Sequence, residues 1–455
     1  MSIKQAGVLL HPTSLPSGTL NHQAWQFLDW MESAHLKVWQ MLPLTQPVQG
    51  LSPYQSVSAF AMNPTLLPED WQAKWTSKQD TTFDEYLENE PHWLHDYALF
   101  MTLRQQFSQV SWVDWPKVYK TREAAALKAF AIEKSAEIRY LKQQQFMLSQ
   151  IWHQLKSDAN ARGIQLFGDM PIFVAYDSAD VWANPHLFKL DENHNPQVVT
   201  GVPPDYFSET GQRWGNPHYD WQAMEKTHFK WWRQRIASDF ELFDLIRIDH
   251  FRGLEACWEI EAEEETAING CWQKVPGRAL LNTLKQAFPD LPLVAEDLGV
   301  ITPEVTALKN DFSLPGMSIL QFGFNGLPDN PHSLAEQVEN SVVYTGTHDN
   351  DTTLGWWHLQ ENDDHRKWIL SQLPEAHLPM PWPVIAAAMY SVAQLAIIPM
   401  QDFLGLDNTA RMNVPGVANG NWTWQFQWSQ MTPALTDQIA KLVIASGRDG
   451  SHETE

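Results

Sequence analysis

Eight short apolar runs punctuate this chain, at 7–10, 36–39, 164–167, 243–248, 291–295, 317–322, 342–345 and 395–400, and most follow a stretch with helical periodicity. Strand alternating with helix is the signature of a parallel sheet, and eight strands suit closure into a barrel. An open doubly wound sheet competes, but no G-x-G-x-x-G or G-x-x-x-x-G-K-[ST] follows any of the runs. The expected fold class is therefore α/β, a (β/α)8 TIM barrel, with helical and irregular insertions after strands 2 and 3.

The rhythm breaks twice. Residues 51–135, rich in Trp, Glu, Gln and Lys with helical pieces such as 92–107, read as a mostly helical insertion. Residues 171–219, dense in Pro, Gly, Asn and aromatics, read as a long irregular segment, and loops of that length inside a compact chain are usually functional. Helices are expected elsewhere at 21–36, at 136–159 with Gly163 as C-cap, at 219–239, at 277–288, from Thr302 and Pro303 onward, at 383–392 and at 435–446. A barrel with insertions can exceed about 400 residues, so 1–455 is read as one catalytic unit.

Lys and Arg number 31 against 54 Asp and Glu, and the net charge of −23 repels phosphate backbones and anionic lipid. Neither nucleic acid nor a membrane is expected as a partner, and no run approaches the ~20 apolar residues of a membrane span. The opening residues lead into too short an apolar stretch for a signal-peptide core. Only Cys257 and Cys271 are present, too few for a disulfide framework, which fits a reducing compartment; a cytoplasmic location is expected. The 23 Trp residues point toward sugar, an uncharged ligand whose C–H faces stack on indole, although core packing is the plainer reading of any single one.

Three of the runs end abruptly in an acid, which places carboxylates at the mouth of a parallel barrel. In Phe243-Asp-Leu-Ile-Arg-Ile-Asp-His-Phe-Arg-Gly253, alternation puts Arg247 and Asp249 on one face, where the guanidinium keeps the carboxylate ionised, as a nucleophile requires. Glu296 closes the run in Pro292-Leu-Val-Ala-Glu-Asp-Leu-Gly299; desolvation there retains its proton and suits a general acid, whereas Asp297 faces the other way. His348 and Asp349 end the seventh strand, with Trp356 and Trp357 close behind. Gathering His11, Asp249, His250, His348 and Asp349 around a metal is an alternative, but no H-x-H pair stands on the first strand and no metal is assigned.

Ten blocks in order carry a resemblance: LLHPTSLPSG at 9–18, WQMLPL at 39–44, SPYQSVSAFAMNP at 52–64, GDMPIFVAYDSADVWANP at 168–185, GQRWGNPHYDW at 211–221, RIDHFRG at 247–253, AEDLG at 295–299, PGMSILQF at 315–322, THDND at 347–351, and RMNVPG with GNWTW at 411–424. The chain resembles the 4-α-glucanotransferases of amylomaltase or disproportionating type, glycoside hydrolase family 77. The resemblance implies Asp249 as nucleophile, Glu296 as acid/base and Asp349 as transition-state stabiliser. It implies Arg247, His348, Ser52, Tyr54, Gln212, Trp214 and Asn413 as substrate-binding residues, and no cofactor. The substrates it implies are maltooligosaccharides and starch- or glycogen-derived α-1,4-glucans, with glucose as an acceptor. Aromatics at Tyr206, Trp214 and Tyr219 are expected on the acceptor side. Two departures stand out: Thr19-Leu-Asn-His22 is short and lacks the family's glycines, and Asn325 occupies a position where relatives commonly carry Asp. An α-amylase-type hydrolase shares the three acids, and a non-catalytic glucan-binding protein is the reading from another class.

Overall fold

Inside a strand, side chains alternate, so a strand closed into a barrel must be apolar on both faces, one toward the barrel axis and one toward the surrounding helices. The computed structural model describes residues 4–205 and 208–450. Each of the eight apolar runs overlaps a strand: β1 (Gln5–Leu9), β2 (Val38–Gln40), β3 (Gln165–Pro171), β4 (Leu245–Asp249), β5 (Leu293–Ala295), β6 (Gly316–Ile319), β7 (Ser341–Tyr344) and β8 (Leu395–Pro399). All pairings are parallel, in the order β6-β7-β8-β1-β2-β3-β4-β5. The seam between β5 and β6 is bridged by the Ala295 N–H donating to the Pro315 carbonyl at 2.8 Å. Asp297 reinforces it, accepting from the Met317 N–H at 2.7 Å and from the Lys309 ammonium at 2.5 Å.

Alternation is plain in the packing. Leu9, Val38, Phe167, Val294, Met317, Val342 and Ile397 fill the barrel axis, while Val8, Leu166, Ile246, Ile248, Val343 and Ile398 join the larger core under the helices. Gly7 faces inward because a Cβ there would lie 2.4 Å from the Val38 carbonyl and 2.6 Å from the Ile397 side chain.

Two expectations need correction. The helix read across 219–239 is two, Trp221–Lys226 and Lys230–Leu242, because His228 and Phe229 turn the chain at positive φ (51° and 52°). The segment 171–219 is also not irregular throughout. It contributes Val198–Val202 and Gln212–Pro217 to a second, antiparallel sheet, completed by Ala256–Glu261 and Gly270–Lys274. Gly201 permits that pairing, since a Cβ would meet the Gln212 carbonyl at 2.2 Å. Within 51–135 the helices are Ser77–Glu88, Leu94–Gln106, Lys117–Lys120 and Ala124–Glu133. Among the described residues no helix is long and apolar enough to cross a membrane.

Candidate active site

Strand register assembles the floor of the site. β3 and β4 pair Asp169 with Arg247 and Pro171 with Asp249, and β4 and β5 pair Ile248 with Ala295, so Asp249 and Glu296 are the next residues out on neighbouring strands. The buried Arg247 donates through Nη1 to Asp169 Oδ2 at 2.6 Å and through Nη2 to Asp249 Oδ1 at 2.8 Å. Burial alone would lower the Arg247 pKa, but Asp169 and Asp249 overcome it and raise it, so the cation is secure. Tyr54 Oη donates to Asp169 Oδ2 at 2.7 Å, tying the loop after β2 to this pair.

Glu296 meets different surroundings. Its Oε2 accepts the His250 N–H at 2.6 Å and its Oε1 the Leu298 N–H at 3.1 Å. Burial pushes its pKa up to about 7; Arg247 opposes that rise and the Asp249 charge reinforces it. His250 delivers its N–H from a left-handed conformation (φ 54°), which costs a non-glycine residue about 1–3 kcal/mol. The Trp214 indole meets the His250 ring edge-on at 4.8 Å, and Trp214 Nε1 donates to Gln212 Oε1 at 3.1 Å.

Across the mouth, Asp349 Oδ1 accepts from Asn413 Nδ2 at 2.6 Å, with His348 Nε2 at 3.4 Å. Arg411 braces this side: Nη2 donates to the Asp349 carbonyl, Nη1 to Asp351 Oδ1 and Nε to the Asn413 carbonyl. The Tyr54 and His348 rings stack at 5.2 Å and 13°, and Trp422 leans on both.

All ten residues singled out in the sequence, Ser52, Tyr54, Gln212, Trp214, Arg247, Asp249, Glu296, His348, Asp349 and Asn413, line one cleft of ≈ 1580 Å³ including its open mouth. Sequence reasoning missed Asp169 and Phe173, which lay within a quoted block, and Arg411 and Trp422, which lay within another. Tyr219 is a correction: it is fully buried and donates to the Ile172 carbonyl at 2.8 Å, behind the wall rather than in the cleft. Tyr206 lies outside the described residues. Asn325 serves its own turn, accepting from the Leu327 N–H and from Asn330 Nδ2. The short first loop is closed by the Ser17 N–H donating to Gln23 and by Asn21 capping the helix His22–Ser33. Among the described residues no group of three or more His, Cys, Asp or Glu side chains is arranged to hold a metal ion.

Neighbouring strand-end acids in unlike environments, under a trough walled with indole and phenol, define a barrel enzyme that works on a sugar chain. The family model described as 4-alpha-glucanotransferase, glycoside hydrolase family 77, matches residues 9–72 and 67–432. The chain is 43% identical to the 4-alpha-glucanotransferase of Thermus thermophilus over 97% of its own length and 98% of the relative's. It is 40% identical to the chloroplastic/amyloplastic 4-alpha-glucanotransferase of Solanum tuberosum over 96% and 85%. The solved amylomaltase from Streptococcus agalactiae in complex with acarbose superposes with a TM-score of 0.92 at 33% identity, covering 98% of this chain and 99% of that one. The chain belongs to glycoside hydrolase family 77, the 4-α-glucanotransferases.

Proposed function

We propose that this chain is a retaining transferase working through a covalent glycosyl-Asp249 intermediate. The supporting observation is the pairing of β4 with β5, which sets Asp249 and Glu296 side by side on strands about 4.8 Å apart. That spacing suits the short carboxyl separation of retaining enzymes, about 5–5.5 Å. Asp249, held by Arg247, attacks the anomeric carbon, and the Glu296 proton passes to the departing glycosidic oxygen. An acceptor 4-hydroxyl then gives its proton back to Glu296 and attacks the same carbon. Asp249 is released and an α-1,4 bond is remade with net retention.

Asp349, with Asn413 and His348, binds the ring hydroxyls as the sugar flattens toward an oxocarbenium ion. Ser52 and Tyr54 flank the same ring, while Gln212 and Trp214 stand on the acceptor side. Residues 171–219 act there as a substrate-binding segment, since Phe173, Gln212, Trp214 and Asn216 line the cleft. The helical insertion 51–135 and the barrel work as one unit. Donors are maltooligosaccharides and starch- or glycogen-derived α-1,4-glucans, and acceptors are glucose or another glucan. The steps balance without a cofactor. A cytoplasmic setting accords with the free thiols of Cys257 and Cys271.

Incubation with pure maltotriose tests the reading. Longer oligosaccharides plus glucose, with total reducing ends constant, are expected; a steady rise in reducing ends that added glucose does not suppress marks an α-amylase-type hydrolase instead.

A further inference from the structure

Trp214 is carried on the strand Gln212–Pro217, where the backbone ladder does not hold it. Pairing with Val198–Val202 sets Val202 against Gln212 and Gly201 against Arg213, then skips to Val199 against Pro217. Thr200 is therefore left opposite Trp214, Gly215 and Asn216 together, a bulge of the kind that re-aims side chains beside active sites. Gly215 turns the chain there at φ 82°, a conformation that glycine adopts without strain. Gln212, Trp214 and Asn216 all come to line the cleft. With the ladder interrupted, the bulge has to be fixed by side chains.

Asn216 ties it down. The residue is 4% exposed, and its one amide reaches three segments of the chain. Nδ2 donates to the Val174 carbonyl at 2.8 Å, in the loop after β3 next to Phe173. Oδ1 accepts from Thr200 Oγ1 at 3.3 Å, across the bulge, and from Gln55 Nε2 at 3.1 Å, while Nδ2 reaches back to Gln55 Oε1 at 3.4 Å. Gln55 belongs to the loop after β2 that carries Ser52 and Tyr54, and that loop has bonds of its own. The Gln55 carbonyl accepts the Val48 N–H at 2.7 Å, the Gln46 carbonyl accepts the Val57 N–H at 2.9 Å, and Tyr54 is bound to Asp169. The loop keeps these without Asn216, whereas the bulge loses its tie to the barrel. Trp214 adds ring contacts with Phe173 at 6.4 Å and His250 at 4.8 Å, which orient the indole but do not anchor the strand.

We propose, resting on the acceptor-side reading of Trp214, that Asn216 is the positioning residue of the acceptor site: held by Gln55 and Val174, it fixes the bulge that presents Trp214 to the incoming sugar. Loss of its amide loosens Trp214 and leaves Asp249, Arg247 and the Tyr54 loop in place. Capture of the acceptor then suffers more than formation of the glycosyl-enzyme.

The test gives the full chain maltosyl fluoride as donor and glucose as acceptor. Fluoride release at low donor concentration measures kcat/KM for forming the glycosyl-enzyme, and the glucose concentration at half-maximal transfer measures acceptor capture. Asn216→Ala is expected to raise that glucose concentration about tenfold while kcat/KM for fluoride release falls by less than about threefold. Gln55→Ala, at the half-buried end of the amide pair, shifts the same quantity in the same direction and keeps the test alive should Asn216→Ala fold poorly. Trp214→Ala raises the glucose requirement by itself, and adding Asn216→Ala to it changes nothing further, because the one acts through the other. Equal losses in both measurements describe a general structural defect and overturn the proposal. So does an undiminished effect of Asn216→Ala in the Trp214→Ala background, which describes a direct contact with the sugar. If Trp214→Ala raises the glucose requirement and neither Asn216→Ala nor Gln55→Ala does, this inference fails alone; if Trp214→Ala leaves it at the wild-type value, the acceptor-side reading fails and takes this inference with it.

Discussion

Asp249, Glu296 and Asp349 stand at the barrel rim beside three other acids, Asp169, Asp297 and Asp402, that do something else. Asp402 is the clearest contrast. Its Oδ2 accepts the Thr345 and Thr353 hydroxyls at 2.6 Å each and its Oδ1 the Thr353 N–H at 2.7 Å, and burial pushes its pKa up. Asp297 is bound to Lys309 and the Met317 N–H across the β5–β6 seam. The Asp169 side chain is 1% exposed beneath Arg247, whereas those of Asp249 and Asp349 are 30% and 46% exposed. Both groups lie in or just beyond the carboxyl-terminal ends of barrel strands. The cleft-facing acids differ in keeping lone pairs open to a ligand, while Asp297 and Asp402 give theirs to the protein and Asp169 is sealed away beneath Arg247.

The sharpest break between the two groups comes from isosteric neutralisation. Asp249→Asn is expected to cut transfer by ~10⁴-fold or more on every donor, since the proposed mechanism has no other group to form the covalent bond, with the denaturant midpoint almost unmoved. A variant that unfolds readily while its folded fraction still turns over would move Asp249 into the structural group.

Glu296→Gln follows, with a loss of about 10²–10⁴-fold on oligosaccharides and much less on glycosyl fluorides, whose leaving group needs no proton. In the proposed mechanism the working form of Glu296 is protonated, and burial holds its pKa up at about 7. The wild-type rate on oligosaccharides should therefore fall as pH rises through about 7, and Glu296→Gln on the fluoride should lack that limb. An identical alkaline limb in both would remove Glu296 from the role.

Asp169 is the intermediate case, acting on Asp249 only through Arg247. Asp169→Asn takes the charge from the hydrogen bonds that Arg247 and Tyr54 donate to it; weakening the Arg247 bond, worth about 1.5–3 kcal/mol, should drop kcat roughly 10–100-fold while KM changes less. Recovery of kcat in Asp169→Glu separates this positioning role from general destabilisation. Asp402→Asn should show the opposite pattern: about 1–3 kcal/mol lost from unfolding free energy, with kcat per folded molecule within a few-fold of wild type.

The eight barrel strands were legible because closure requires apolar residues on both faces, which leaves unbroken runs. The small sheet was not. Its Gly270–Lys274 strand is largely exposed, and Gln212–Pro217 carries Gly, Asn and Pro, so neither leaves an apolar run or a clean alternation. The three acids were legible because each ends such a run. Asp169 sits inside β3, which continues through Met170 and Pro171, so no boundary marked it. Arg411 reaches Asp349 from a segment 62 residues further along the chain, a relation set by tertiary packing alone. Tyr219 and Trp214 lie five residues apart in similar sequence, and nothing local tells which of them faces the cleft.

That pair supplies the finest test of facing in against facing behind. In the proposed mechanism transfer and hydrolysis share the glycosyl-enzyme, so their ratio depends on the difference between two barriers, and about 1.4 kcal/mol shifts it tenfold. Trp214 lines the cleft, with its indole edge on His250, whose N–H is bound to Glu296, so it can cover the intermediate and exclude water. Tyr219 touches the same wall from behind, through the Ile172 carbonyl and the back of the Phe173 ring. Trp214→Ala is expected to lower the transfer-to-hydrolysis ratio on maltotriose by up to about tenfold with unfolding free energy unchanged. Tyr219→Phe should lower unfolding free energy by about 0.5–1.5 kcal/mol and leave the ratio alone. If Tyr219→Phe shifts the ratio as much as Trp214→Ala does, the wall controls water by its rigidity rather than by the residue that faces the sugar, and the distinction between the two faces fails at this point.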